Sequence, residues 1–276
     1  MREPGVDGSL GRHWPEYLME AAGLGLFMIS AATFGVLLEH PASPARQAIG
    51  NELLRRLLMG VAMGLTAVGL VYSPWGRRSG AHLNPVVTLT FLRLGKVARS
   101  DAAGYVVAQF AGGLAGLLAA GAVLGPALGA PEVNFVATVP GPLGRGVAFA
   151  AELSISFVLM LTILWSTNTP KWAGRTGWLA GGLVGAYITL EAPLSGMSMN
   201  PARTLASAVP AVSWSTYWIY VAAPLCGMLL AAEAHLRWRR AAVVHCAKLH
   251  HDRTHRCIFR CGYHVEQETA SADAAA

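Results

Sequence analysis

Apolar residues run in long blocks along this chain, and short polar linkers separate them. Segments at about 17–38, 53–73, 103–124, 146–167, 177–194 and 214–236 are apolar over helical lengths. A helix that crosses a bilayer requires roughly 20 such residues, so each block reads as a span, the fifth a little short. The linkers EHPASPARQ, TNTPKWAGRT and GPALGAPEVNFVATVPGPLGR are rich in Pro, Gly and charge, which break helices. The opening MREPGVDGSLGRHW is polar and lacks the layout of a cleaved signal, so the first block reads as a retained span. Six spans place both termini on one side of the membrane.

The pattern is interrupted twice in the same way. Residues 79–89 read SGAHLNPVVTL, and residues 195–205 read SGMSMNPARTL. Ser, Gly, Asn, Pro, Thr and Leu recur in step. One copy follows the second span and the other follows the fifth, so with three spans per half the copies face opposite sides. That is the mark of an inverted repeat, whose site lies at the midplane where broken helices meet. A short apolar run follows each Asn-Pro, at 86–94 and 202–209. At 1.5 Å per residue such runs cover roughly 12–15 Å, about half the hydrocarbon core, so each reads as a re-entrant half-helix. Asparagine is a favoured N-cap and proline suits the first helical turn. Asn84-Pro85 and Asn200-Pro201 therefore start two half-helices whose positive dipole ends face each other. Their amides would then present donors to whatever passes between them. Arg203 follows within a membrane-depth segment, where a cation is expensive and usually functional.

Composition fits lipid. Of the 276 residues 54% are hydrophobic, only 13% are charged, and 31 are glycine. Glycines four apart (Gly60/Gly64, Gly112/Gly116, Gly177/Gly181, Gly181/Gly185) let helices approach closely inside one bundle. The net charge of +6 is a matter of topology and not a nucleic-acid footprint. Arg2, Arg12, Arg77, Arg78, Arg93, Lys96, Arg99, Lys171, Arg175, Arg237, Arg239, Arg240, Lys248, Arg253, Arg256 and Arg260 share one face, whereas Arg46, Arg55, Arg56 and Arg145 lie on the other. Lys and Arg favour the cytoplasmic side, which places both termini in the cytoplasm of a cell-membrane protein.

The two loops resemble the paired Asn-Pro-Ala loops of the aquaporin, or major intrinsic protein, family. The likeness covers about residues 15–236 and extends to Glu20 in MEAAGLGLF, Gln109 in YVVAQFAGGLAG, Glu152 in AELSISF, and WIYVAAP in the last span. It implies an all-α membrane protein: an aquaporin-like bundle of six transmembrane helices plus two re-entrant half-helices, usually a homotetramer with one pore per subunit. It implies a channel for water and small uncharged solutes, with neither cofactor nor enzymatic activity, that excludes protons and ions. The pore motifs are then Asn84, Pro85 and Val86, where Val86 replaces the usual alanine, and Asn200, Pro201 and Ala202. Glu20, Glu152 and His82 brace the loops. The narrow filter comprises Met63 (or Gly64, depending on one inserted residue), Ile188, Met197 and Arg203. Water channels usually carry histidine where Ile188 stands, so this filter is less hydrophilic, and pliable methionines either widen the expected range to glycerol, urea and metalloid acids or plug the pore to the width of water alone. Inverted repeats also build coupled transporters, the alternative reading. That reading requires a titratable midplane group, and Asn84, Asn200 and Arg203 do not titrate near neutral pH.

The domain plan is a cytoplasmic segment at 1–14, a channel at 15–236 with halves at about 15–124 and 145–236, and a basic cytoplasmic tail at 237–276. In the tail, HCAKLHHDRTHRCIFRCGYH offers Cys246, Cys257, Cys261 and His264 at spacings within the range used for zinc, with His251 four residues before His255. The other expectation for this stretch is a basic segment lying on anionic lipid headgroups.

Overall fold

The computed structural model describes residues 6–238, 244–252 and 254–263. Its long helices are α1 (Val6–Glu39), α2 (Glu52–Tyr72), α4 (Arg99–Leu124), α5 (Gly144–Thr167), α6 (Thr176–Leu190) and α8 (Ile219–Trp238). Two short helices, α3 (Pro85–Arg93) and α7 (Pro201–Ala211), follow the Asn-Pro pairs. No strand occurs among the described residues. Among the described residues five helices are long and apolar enough to cross a membrane, and α6 is a shorter apolar helix.

The packing repeats between halves. α1 lies along α4, α5 lies along α8, and α2 meets α6 across the centre, so equivalent helices pair in equivalent ways. Glycine sets these approaches. A Cβ on Gly64 would sit 2.6 Å from the Gly181 carbonyl oxygen, and one on Gly227 would sit 2.3 Å from the Leu153 carbonyl oxygen. The glycine pairs thus serve packing within the bundle.

Several boundaries differ from the pattern reading. α1 starts at Val6, ahead of the expected span, because its polar turns are tied down: His13 Nδ1 lies 2.7 Å from Asp101, and buried Glu16 meets Arg78 at 2.9 Å. The linker before the first loop contains a helix, Pro74–Ser79, whose N-cap Ser73 accepts from Gly76 N. A matching turn, Ala192–Ser195, ends the fifth segment earlier than expected. Both short helices end on glycines with left-handed backbone, Gly80 (φ 98°) and Gly196 (φ 82°).

Replacing Gly64 by leucine should force α2 from α6 and destabilise the protein by about 1–3 kcal/mol. Gly69→Ala, at a site with nothing within 4 Å of the added atom, should be tolerated. Thermal unfolding followed by size-exclusion chromatography in detergent distinguishes the two; equal midpoints would contradict the packing account.

Candidate functional site

The two duplicated loops meet at the centre, and two buried carboxylates hold them there. After Gly80, Ala81 and Leu83 are left-handed (φ 54° and 49°); after Gly196, so are Met197 and Met199 (φ 51° and 55°). That conformation costs roughly 1–2 kcal/mol per non-glycine residue. Glu20 offsets it in the first loop. It accepts from Ser79 Oγ (2.7 Å), His82 N (3.1 Å), Leu83 N (2.6 Å) and Gln109 Nε2 (2.8 Å). Glu152 does the same in the second, accepting from Ser195 Oγ (2.9 Å), Ser198 N (2.6 Å) and Met199 N (2.7 Å). Both carboxylates are fully buried. Backbone that leaves helical form at membrane depth has to find partners inside the protein, and here it does.

Each asparagine does two jobs. Asn84 Oδ1 accepts from Val86 N at 2.9 Å, while Asn200 Oδ1 accepts from Ala202 N at 3.0 Å and Arg203 N at 3.2 Å. These bonds cap α3 and α7. The amide nitrogens cross over: Asn84 Nδ2 donates to Met199 O (2.8 Å) and Asn200 Nδ2 donates to Leu83 O (2.7 Å). This departs from the sequence reading, which gave the amide donors to a passing solute alone. A primary amide has two N–H groups, so one on each side chain ties the loops together and the other is left for the cavity.

A cavity of about 450 Å³ runs past this junction. It brings together Met63, Ile188, Met197, Arg203, Asn84 and Asn200 from α2, α6, α7 and both loops. Gly64 points elsewhere, into the α2–α6 contact. Arg203 Nη1 has no hydrogen-bond partner among the described residues. Val86 is buried in α3 and, like Pro85, Pro201 and Ala202, is not among the residues lining the cavity. At one end the cavity reaches Arg55, which donates to Glu39 (3.1 Å) and to Ile49 O (2.9 Å). At the other it reaches Val71, Ala81, His82 and Leu249.

Leu249 belongs to the tail, which sequence reasoning treated apart from the channel. His82 Nδ1 lies 3.0 Å from Thr88 Oγ1, and its Nε2 lies 2.8 Å from Ala247 O. The histidine braces its own half-helix and docks the tail. Cys246, Cys257 and Cys261 come together, but the fourth member of the group is His251. His264 lies outside the described residues. The Cys246 thiol's hydrogen bonds hold Cys257 down to about 4 and Cys261 down to about 6, against burial that pushes both up. The same bonds push Cys246 up. Asp252 is pushed up by burial, but hydrogen bonds from His255 and Thr254 outweigh it and hold the carboxyl near 2.

A membrane-embedded, duplicated helical bundle with two amide-linked half-helices around a cavity is the class that fold and site define. The sequence matches the model of the family described as "Major intrinsic protein" over residues 11–235. The chain belongs to that family. It is 37% identical to Aquaporin NIP1-3 of Oryza sativa subsp. japonica over 63% of this chain, and spans 59% of that relative's length. It is 36% identical to Probable aquaporin AqpM of Archaeoglobus fulgidus, over 63% of this chain and 73% of the relative. The X-ray structure of the aquaglyceroporin from Plasmodium falciparum superposes with a TM-score of 0.64 at 18% identity, over 80% of this chain and 94% of that one. That likeness shows the fold alone.

Glu152→Gln should loosen the second loop. One amide oxygen replaces two acceptor oxygens, and the new NH2 confronts a backbone N–H, leaving a buried donor unpaired at about 1–3 kcal/mol. A lowered unfolding midpoint and reduced water flux are expected, whereas unchanged values for both would show that Glu152 does not hold the loop.

Proposed function

We propose that this protein is a membrane channel that passes water and small uncharged solutes such as glycerol, urea and metalloid acids, and excludes protons and ions. The observation that carries the reading is the cavity running past Asn84, Asn200 and Arg203. Two half-helix N-termini face it from opposite sides, and with the guanidinium they give the centre a positive potential that repels cations. The free amide N–H groups suit the oxygen of a neutral polar molecule. Neither carboxylate at the loops is free to take up a proton in transit, because each is occupied by loop donors. This favours passive permeation over proton-coupled transport.

Met63, Ile188, Met197 and Arg203 form the filter in this reading. Ile188 adds no donor and two methionines flex, so the filter admits solutes larger than water. The charge distribution orients both termini to the cytoplasm of a cell membrane, in contact with lipid. On the family resemblance the chain assembles as a homotetramer.

Stopped-flow light scattering on proteoliposomes tests the reading. Water flux should scale linearly with an osmotic gradient and ignore a proton gradient. Glycerol and urea should also enter, and Ile188→His should cut their entry by roughly tenfold, as filling an apolar pocket does. Arg203→Val should weaken cation exclusion in a folded protein. Complete exclusion of glycerol and urea by the wild type would contradict the wide filter, and saturable, proton-coupled uptake would contradict the channel.

A further inference from the structure

The tail carries a polar, basic sequence, yet parts of it are as buried as the bundle core. Cys246, Ala247, Lys248 and Leu249 expose 5% of their surface or less. They sit in a segment without regular helix or strand. Such a loop has no ladder of its own to hold it, so something else has to fix its shape.

Four soft ligand atoms converge inside it. The sulfurs of Cys246, Cys257 and Cys261 and a ring nitrogen of His251 all lie within 4.8 Å of one another. Cys246 Sγ is 3.5 Å from Cys257 Sγ, and Cys261 Sγ is 3.2 Å from His251 Nε2. A tetrahedral zinc with Zn–S near 2.3 Å and Zn–N near 2.05 Å has S···S edges of about 3.8 Å and S···N edges of about 3.5 Å. The observed edges are close to these and far from a disulfide bond of about 2.05 Å. His255, which the sequence places equally near, is turned away: its Nδ1 pairs with Asp252 at 2.9 Å. Three thiolates and a neutral imidazole around a divalent ion leave a single negative charge. Lys248 offsets it, a buried ammonium gripped by the carbonyls of Arg77 (2.7 Å) and Arg256 (2.7 Å), whose charge favours the Cys257 thiolate.

We propose that Cys246, His251, Cys257 and Cys261 bind one zinc-type divalent ion, and that this ion shapes the tail into a cap over one mouth of the pore. Some of the cap's contacts tie it to the end of α5, His245 N donating to Asn168 Oδ1 (2.8 Å) and the Tyr263 hydroxyl to Thr167 O (3.3 Å), and others fall at that mouth. Leu249 N donates to Gly80 O (3.1 Å), next to the first loop, and the Leu249 side chain lines the cavity. Phe259, two residues after Cys257, stacks on His82 with ring centroids 5.3 Å apart and planes at 11°. His82 Nε2 meets the carbonyl of Ala247, which follows Cys246. The residues that touch the pore are therefore neighbours in sequence of the residues that hold the metal. Losing the ion frees Cys246 and Cys257 and with them Ala247, Leu249 and Phe259. A closed set of four protein ligands leaves no open position for catalysis, so the ion is structural.

The full-length protein, purified without added metal or chelator, provides the test. Elemental analysis should find about one zinc per chain. Cys257→Ser and His251→Asn should lose it, and His255→Asn should keep it. Chelated protein titrated with cobalt(II) should develop the visible absorption of a tetrahedral cobalt–thiolate site. No zinc in the wild type together with no such absorption overturns the site, and so does a Cys246–Cys257 disulfide found by peptide mapping. In proteoliposomes, chelation should raise water flux severalfold and added zinc chloride should reverse it. Loss of the zinc with unchanged flux overturns the cap. Chelation and reloading use the wild-type chain, so a variant that fails to fold does not decide the outcome. If the channel reading itself were wrong, zinc would bind as expected while neither state passed water, so the two failures are distinguishable.

Discussion

Two buried glutamates carry the architecture. A chain that breaks its helices halfway across a membrane exposes backbone N–H groups where no lipid group accepts them. Glu20 and Glu152 accept those N–H groups at His82, Leu83, Ser198 and Met199, while the Ser79 and Ser195 hydroxyls accept from Ala81 and Met197, and together they hold the left-handed loops. Everything at the centre follows from that hold. It aims the Leu83 and Met199 carbonyls at the opposing asparagines, which fixes where α3 and α7 begin. It thereby places Arg203 and Met197 beside Met63 and Ile188.

The two halves are mechanically joined as well as similar. Each asparagine caps its own half-helix with its oxygen and grips the other loop with its nitrogen. Glycine contacts between α2 and α6 close the same junction from the side. Met63, Ile188, Met197 and Arg203 come from α2, α6, the second loop and α7, so their spacing depends on both sets of contacts. A shift in either loop moves the cap of one half-helix and the brace of the other.

Much of this was legible in the chain. The apolar blocks and the repeated SGxxxNPxxTL frame specify spans, half-helices and their opposed directions, because hydrophobic period and capping chemistry are local. The family resemblance singled out Glu20 and Glu152 as braces of the loops. What could not be read is long-range. Nothing in NPV or NPA says that the amide nitrogen reaches a carbonyl in the other copy. The choice between Met63 and Gly64 turned on one inserted residue, and only the α2–α6 packing shows Gly64 occupied elsewhere. The tail is only partly legible for a similar reason. Its cysteines were visible, but which histidine joins them depends on Asp252 holding His255 away, and its docking against His82 leaves no local trace.

Hydrogen–deuterium exchange in lipid nanodiscs measures the central hold directly. The amides of His82, Leu83, Ser198 and Met199 sit in irregular backbone beside the central cavity, where unbonded N–H groups exchange quickly. If the carboxylates hold them, peptides covering these four residues will exchange as slowly as the core of α4. Exchange at the rate of an exposed loop would contradict the account.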